Sequence, residues 1–289
     1  GDAKEIALGG GATFNQFTVK GVYVDYKDRT AIELDMERTF GENSKLNTAE
    51  TVAKLRNVML AAFPLVLYVH IVCNLFVHNA CHGSFPRSIN RIVGEICGFI
   101  VLSRFASWQI VHERHHKYSD DQEKDPHPLL PGYFEFTWRG ITNVEKQLQT
   151  AYLEVYGDTE ENRARERTRA MISFSTNFVL IAFFYKLLGP AGFVTWFLPA
   201  QVLGWMFVMH FNWVTHNALA KDGNYYPVNL DSGYYWLGNR IFFGIYMHGN
   251  HHKRANVFNP LFWDEAKFGP ACPIVKPYPV PRETTSNAE

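Results

Sequence analysis

Three short histidine clusters, interleaved with long apolar runs, constrain this chain more than any other feature. They are His78-Asn-Ala-Cys-His82, His112-Glu-Arg-His115-His116 and His248-Gly-Asn-His251-His252. On a helix, positions i, i+3 and i+4 share one face, so each cluster aims its imidazoles at one point. Only 12 histidines occur in 289 residues, and two copies of H-x-x-H-H among them far exceed chance. Lone histidines are ordinarily core or surface residues, and His70 and His127 are read that way.

Imidazole nitrogen suits Fe, Zn, Cu and Ni, whereas Mg, Ca and Mn prefer oxygen. The clustered histidines exceed the three or four ligands of one tetrahedral zinc. They therefore point to two metals, and neutral ligands with few carboxylates favour a pair of redox-active irons over hydrolytic zinc.

The run from Val58 to Val77 carries no formal charge. At about 1.5 Å per residue it spans roughly the 30 Å of a hydrocarbon core. Two further apolar runs, 171–188 and 193–211, flank Gly189-Pro190-Ala191-Gly192 and predict a helical hairpin of membrane length. The segment Ile92–Phe105 is shorter and contains Glu95 and Arg104, so it is expected in the interface or packed on protein. If it crossed, the first two clusters would lie on opposite faces. With it in the interface, the hairpin returns the chain to the same face for the third cluster. The basic stretch RARERTR just before Met171 puts that face in the cytoplasm by the positive-inside rule.

The expected fold is thus all-α, a single polytopic membrane domain over 1–289. It has about three spans (58–77, 171–188, 193–211) and a cytoplasmic helical cap (78–170 and 212–289) carrying a histidine-rich di-metal site. Residues 1–50 are polar, with FTVKGVYVDY a candidate short hairpin. The 28 basic residues cancel 28 acidic ones, which excludes the basic excess of a nucleic-acid binder. The mean hydropathy of −0.17 requires sizeable polar regions beside the spans. The four cysteines show no C-x-x-C spacing or disulfide framework, in keeping with a reducing compartment. The opening GDAKEIALGG lacks the features of a signal peptide.

With these boxes the chain resembles the membrane-bound fatty-acyl desaturases and their hydroxylase relatives, closest in pattern to the acyl-CoA type. HNACHGSFPRSINRIVG looks like the family's first box, HERHHKYSDDQEKDPHP like the second, and NLDSGYYWLGNRIFFGIYMHGNHHKRANVFNPLFWDE like the approach to the third and its sequel. The resemblance implies a ligand set of His78, His82, His112, His115, His116, His216, His248, His251 and His252. From the N-x-x-x-H of NWVTH it adds Asn212, acting through water. It places Trp108 by the substrate channel, and Asp125 and Asp231 are candidate acceptors for ligand N–H groups. His210 is left as a supporting or core residue. The implied cofactors are two Fe ions, with O2 as co-substrate and a lipid or acyl chain as substrate. One span rather than a hairpin precedes His78, and Lys253-Arg254 follow the third box; both departures bear on the substrate.

Each turnover with O2 needs two external electrons. Within these residues there is no cysteine cluster, dinucleotide fingerprint or HPGG segment, so a separate ferredoxin or cytochrome b5-type donor is expected. Desaturation, hydroxylation and ketolation share these boxes. A reading from another class is a membrane zinc peptidase, since His112-Glu113…His116 is also H-E-x-x-H, with Glu113 as general base.

Overall fold

The uncharged run that ends in the first histidine cluster forms one helix, α1 (Ala49–Cys81), which continues through Pro64. The computed structural model describes residues 12–14, 17–19, 49–121, 123–127, 130, 132–216, 218–219 and 225–276. Among these the architecture is helical, and the strands form only two short antiparallel ribbons. One ribbon pairs β1 (Ala12–Phe14) with β2 (Phe17–Val19). The hairpin expected over 17–26 thus begins as the second strand of a ribbon with the residues before it, and positions 20–26 lie outside the described residues. The other ribbon pairs β3 (Ala218–Leu219) with β4 (Tyr225–Tyr226).

After α1 the chain forms α2 (Asn90–Ile100) and α3 (Phe105–Tyr118). The stretch Ile92–Phe105 is therefore not one helix. It breaks at a turn where Leu102 takes a left-handed φ of 54°. The 11 residues of α2 reach only about 16 Å, half a bilayer. Its Ile92, Ile96 and Phe99 face outward, while Gly94, Cys97 and Gly98 are buried. Cys97 packs in one apolar cluster with Cys73 and Val77 of α1.

Two shorter helices, α4 (Tyr133–Thr142) and α5 (Val144–Tyr156), lead to α6 (Glu160–Gly192). Thr159 caps α6 by accepting from the Asn162 amide, and Glu160 and Glu161 occupy its first turn, where the helix dipole favours acids. Arg169 then ties α6 to α5 by reaching Glu145 at 2.6 Å as well as Glu166 at 2.8 Å. A π-helical turn (Phe193–Phe197) joins α6 to α7 (Leu198–Thr215).

Two helical runs, Thr51–Cys81 and Glu160–Thr215, are long and apolar enough to cross a membrane. The second folds back on itself. Phe184 and Phe197 stack at 4.4 Å, whereas a straight helix would hold them roughly 20 Å apart. The reversal falls at Gly189, whose φ of 68° and ψ of 170° are non-helical and suit glycine. Helix α7 consequently runs parallel to α1. Trp196 Nε1 donates to the Met59 carbonyl at 2.7 Å, Gly204 lies against His70, and Phe211 packs edge-on to His78. Both helices end at the same level, and the histidines sit there. Short helices α8 (Tyr234–Ile241), α9 (His248–Lys253) and α10 (Glu265–Phe268) complete that end. The outer faces stay apolar, with Leu65 66% and Phe178 73% exposed, a surface that suits hydrocarbon rather than water.

Gly98 tests the packing of α2. A Cβ there would stand 2.4 Å from the Ser103 carbonyl oxygen, and backbone cannot swing aside. Glycine-to-alanine in a helix ordinarily gains about 0.5–1 kcal/mol; here overpacking costs about 1–3 kcal/mol. Gly98→Ala is expected to lower the thermal midpoint of the detergent-solubilised protein, and a raised midpoint contradicts the packing described.

Candidate metal centre

The imidazoles form two groups, and the helical spacing decides which residue joins which. His78 and His82, one turn apart at the end of α1, meet His112 and His116, one turn apart on α3, together with His251. The second group takes His248 and His252, one turn apart on α9, with His115 and His216. In each group the candidate ligand atoms lie within 4.8 Å of one another. Each H-x-x-H-H box is thus divided: its outer histidines serve one group and its middle histidine the other. The two groups touch where the His116 and His252 rings stack at 4.1 Å.

The nitrogen geometry suits a shared ion. His116 Nε2 and His251 Nε2 are 3.1 Å apart, and His248 Nε2 and His252 Nε2 are 3.2 Å apart. Nitrogens about 2.1 Å from one ion and at right angles stand about 3 Å from each other. The Nε2 atoms of His78, His82, His112, His115 and His216 are buried with no hydrogen-bond partner. Each such atom costs roughly 1–3 kcal/mol, so five rival the ~5–15 kcal/mol stability of a whole domain. A bound ion removes that cost, and the residues present fit a metal in each group.

The electrostatics favour cations without first needing carboxylates. His82 follows the end of α1, His115 and His116 lie in the last turn of α3, and His216 follows the end of α7. Three helix C-termini, each carrying about half a negative charge, converge there. Burial, reinforced by neighbouring imidazoles, drives the pKa of His112, His248, His251 and His252 well down and that of His82 to about 3. These rings are neutral, the form that binds metal.

Carboxylates orient the second group from behind. His115 Nδ1 lies 3.0 Å from both oxygens of Asp125, which also accepts the backbone amides of Asp120 and His127 at 2.8 and 2.9 Å. His216 Nδ1 lies 3.0 Å from both oxygens of Asp120. Burial opposes charge on His216, but the Asp120 carboxylate raises its pKa overall. Such contacts fix the tautomer and leave Nε2 for the metal. Asp120 escaped sequence reasoning. It adopts a left-handed φ of 65°, and nothing in Ser-Asp-Asp-Gln-Glu-Lys-Asp marks which acid turns inward.

The remaining candidates fall in varied places. Asn212 is buried one turn before His216, with its Oδ1 unpartnered. Trp108 stacks on His112 at 5.8 Å and lines two narrow cavities of about 10 Å³, each near the size of one water. Asp231 bonds Arg240 at 2.9 Å and Asn239 at 3.0 Å, and no histidine contact is described for it. His127, read as a lone histidine, lies 4.1 Å from the His115 ring and 3.8 Å from Asp125. His210 meets the hydroxyls of Tyr234 and Tyr246 at 3.3 and 3.5 Å, and His70 is buried between α1 and α7.

A helical chain with two membrane-length runs and two adjoining nests of neutral imidazole belongs to a narrow class of histidine-rich membrane proteins. The chain belongs to the fatty acid desaturase family, whose model matches residues 57–257. It is similar to the sn-1 oleoyl-lipid 12-desaturase of Picosynechococcus sp., 28% identical over 167 residues. That match covers 50% of this chain and 46% of the relative, so it spans about half of that protein. No solved structure matches the chain significantly.

Two measurements probe the site. Asp120→Asn keeps the shape but loses the charge behind His216, and is expected to weaken one metal of the pair by roughly 10–100-fold in a chelator competition. Stability of the metal-free protein depends on pH through His82. An unfolded imidazole binds its proton near 6.5, but folded His82 does so only near 3. Between those values the unfolded state holds more protons, so stability falls as pH drops through that window. A melting temperature unchanged between pH 7 and pH 4 contradicts the neutral, buried site.

Proposed function

We propose that the protein is an O2-dependent, di-iron oxidoreductase that desaturates an acyl chain of a membrane lipid. The observation that carries this reading is the division of both H-x-x-H-H boxes between two adjoining nitrogen-only groups. Two irons so ligated supply activation of O2 toward an unactivated C–H bond. Desaturation removes two hydrogens and leaves a C=C bond. With O2, two electrons and two protons it yields two waters, so the electrons come from a separate ferredoxin or cytochrome b5-type partner. The family and the relative named for an oleoyl-lipid support a lipid-linked chain.

The chain's own residues hold and orient. His78, His82, His112, His116 and His251 hold one ion; His115, His216, His248 and His252 hold the other, with Asn212 reaching it through water. Asp120 and Asp125 fix the rings of His216 and His115. Trp108, stacked on His112, borders the path of the acyl chain and excludes water. The membrane is crossed by α1, α6 and α7, with α2 in the interface and the histidine-bearing end in the cytoplasm. The basic residues Arg163, Arg165, Arg167 and Arg169 near the start of α6 support that orientation.

The peptidase reading asks Glu113 to work as a base inside the site. Glu113 is exposed and accepts from Gln109 at 2.7 Å, whereas His115 is 1% exposed. The deciding experiment supplies the purified protein with iron, a reduced electron carrier and oleoyl-lipid vesicles, with products read by mass spectrometry. The expected product is two mass units lighter. His115→Ala should abolish it and Glu113→Gln should retain it. A product sixteen units heavier would assign hydroxylation instead; no lipid product, with peptide cleavage that Glu113→Gln abolishes and His115→Ala keeps, would return the case to the peptidase.

A further inference from the structure

In the third box, His248-Gly249-Asn250-His251-His252, the two middle residues read as spacers. The structure gives them partners. Asn250 is fully buried, and its side chain is engaged from three sides. Its Oδ1 accepts from Asn229 Nδ2 at 2.9 Å and from the Cys272 amide at 2.8 Å, and its Nδ2 donates to the Pro260 carbonyl at 3.2 Å. Its own amide donates to Asn229 Oδ1 at 3.0 Å. Asn229 is also fully buried; its Nδ2 donates to the Cys272 carbonyl at 2.8 Å, and its backbone carbonyl accepts from the Val275 amide at 2.9 Å. Gly249 packs tightly, since a Cβ would stand 3.1 Å from the Cys272 Cβ and 3.2 Å from the Pro227 carbonyl oxygen.

Helix α9 spans only six residues, too few to hold a geometry by its own hydrogen bonds. It nevertheless delivers three ligands, two to one group and one to the other. Something outside the helix must fix its position. Beside the bond from the Gly249 amide to the Val228 carbonyl, Asn250 and Asn229 supply buried polar contacts that do so, and both reach into residues 260–275, beyond the 57–257 matched by the family model.

We infer that residues 259–276 form a strap that holds α9 in register for both metal groups, with Asn250 and Asn229 as positioning residues. The inference rests on the two-group reading of the histidines and is independent of whether the product is an alkene or an alcohol. Its consequence is asymmetric. The group of His115, His216, His248 and His252 takes half its histidines from α9, whereas the other takes one of five. Loosening the strap should therefore empty the first before the second.

The test uses the full chain in detergent with two variants. Asn250→Ala removes the contacts from the helix side, and Cys272→Pro removes one donor from the strap side while leaving the sequence of α9 intact. Anaerobic Fe2+ loading should give close to two irons per wild-type chain and close to one in either variant. Hydrogen exchange at the amides of 248–252 should rise at least tenfold, with α1 and α3 unchanged. Exchange is read without iron, so it reports on the strap even if the wild type takes up none, a result that would count against the proposed function alone. Two irons retained with unchanged exchange in Cys272→Pro overturns the strap. So does a uniform rise in exchange through α1 and α3, which would mark a general folding contact.

Discussion

Everything else in this structure depends on packing nine imidazoles into one largely buried space, where burial favours their neutral form and His216 is the exception set by Asp120. Protonated, they would repel and would be costly to bury; neutral and empty, they leave orphaned nitrogens. Cations resolve both problems but bring a third. Two divalent ions held only by neutral nitrogen leave about four positive charges in a dry interior, which is prohibitive without compensation. The chain answers with three converging helix C-termini and with Asp120 and Asp125 placed behind the rings rather than on the metal side. The anionic groups would thereby offset the charge of the proposed ions, and they set the rings of His115 and His216 from behind.

That arrangement dictates the topology. Helices that pack side by side and present their C-termini at the same level run parallel, as α1 and α7 do. Parallel neighbours cannot be joined by a tight turn, so α6 has to carry the chain back to the far level first. The left-handed glycine at 189 and the π-helical turn after it form the corner where this return path ends. The salt link from Arg169 to Glu145 of α5 fastens its beginning.

Much of the site was legible in the sequence because helical periodicity is local. His78 with His82, or His112 with His116, must share a face wherever the helix goes. Periodicity also shows that His115 is a neighbour of both partners on α3, but not that it turns to the opposite metal group, since that depends on where α9 and α7 arrive. Asp120 was hidden for a different reason. Its inward aim depends on a left-handed backbone that sequence does not advertise in an aspartate. The break at Leu102 is of the same kind, and it divided a segment whose apolar composition reads as continuous. The spacers Gly249 and Asn250 were opaque because their constraint comes from chain tens of residues away.

The division of each box between the two groups also fixes an order in time. A polypeptide is made from its N-terminus, and neither metal nest has its full set of rings until the third box exists. The first two boxes supply four rings to one nest and one to the other, and the later chain brings the rest. A metal that needs the full set of rings in either nest would find it only once the third box has been made. The fold must then be sound enough to hold its unfilled nitrogens apart from the ion that will join them.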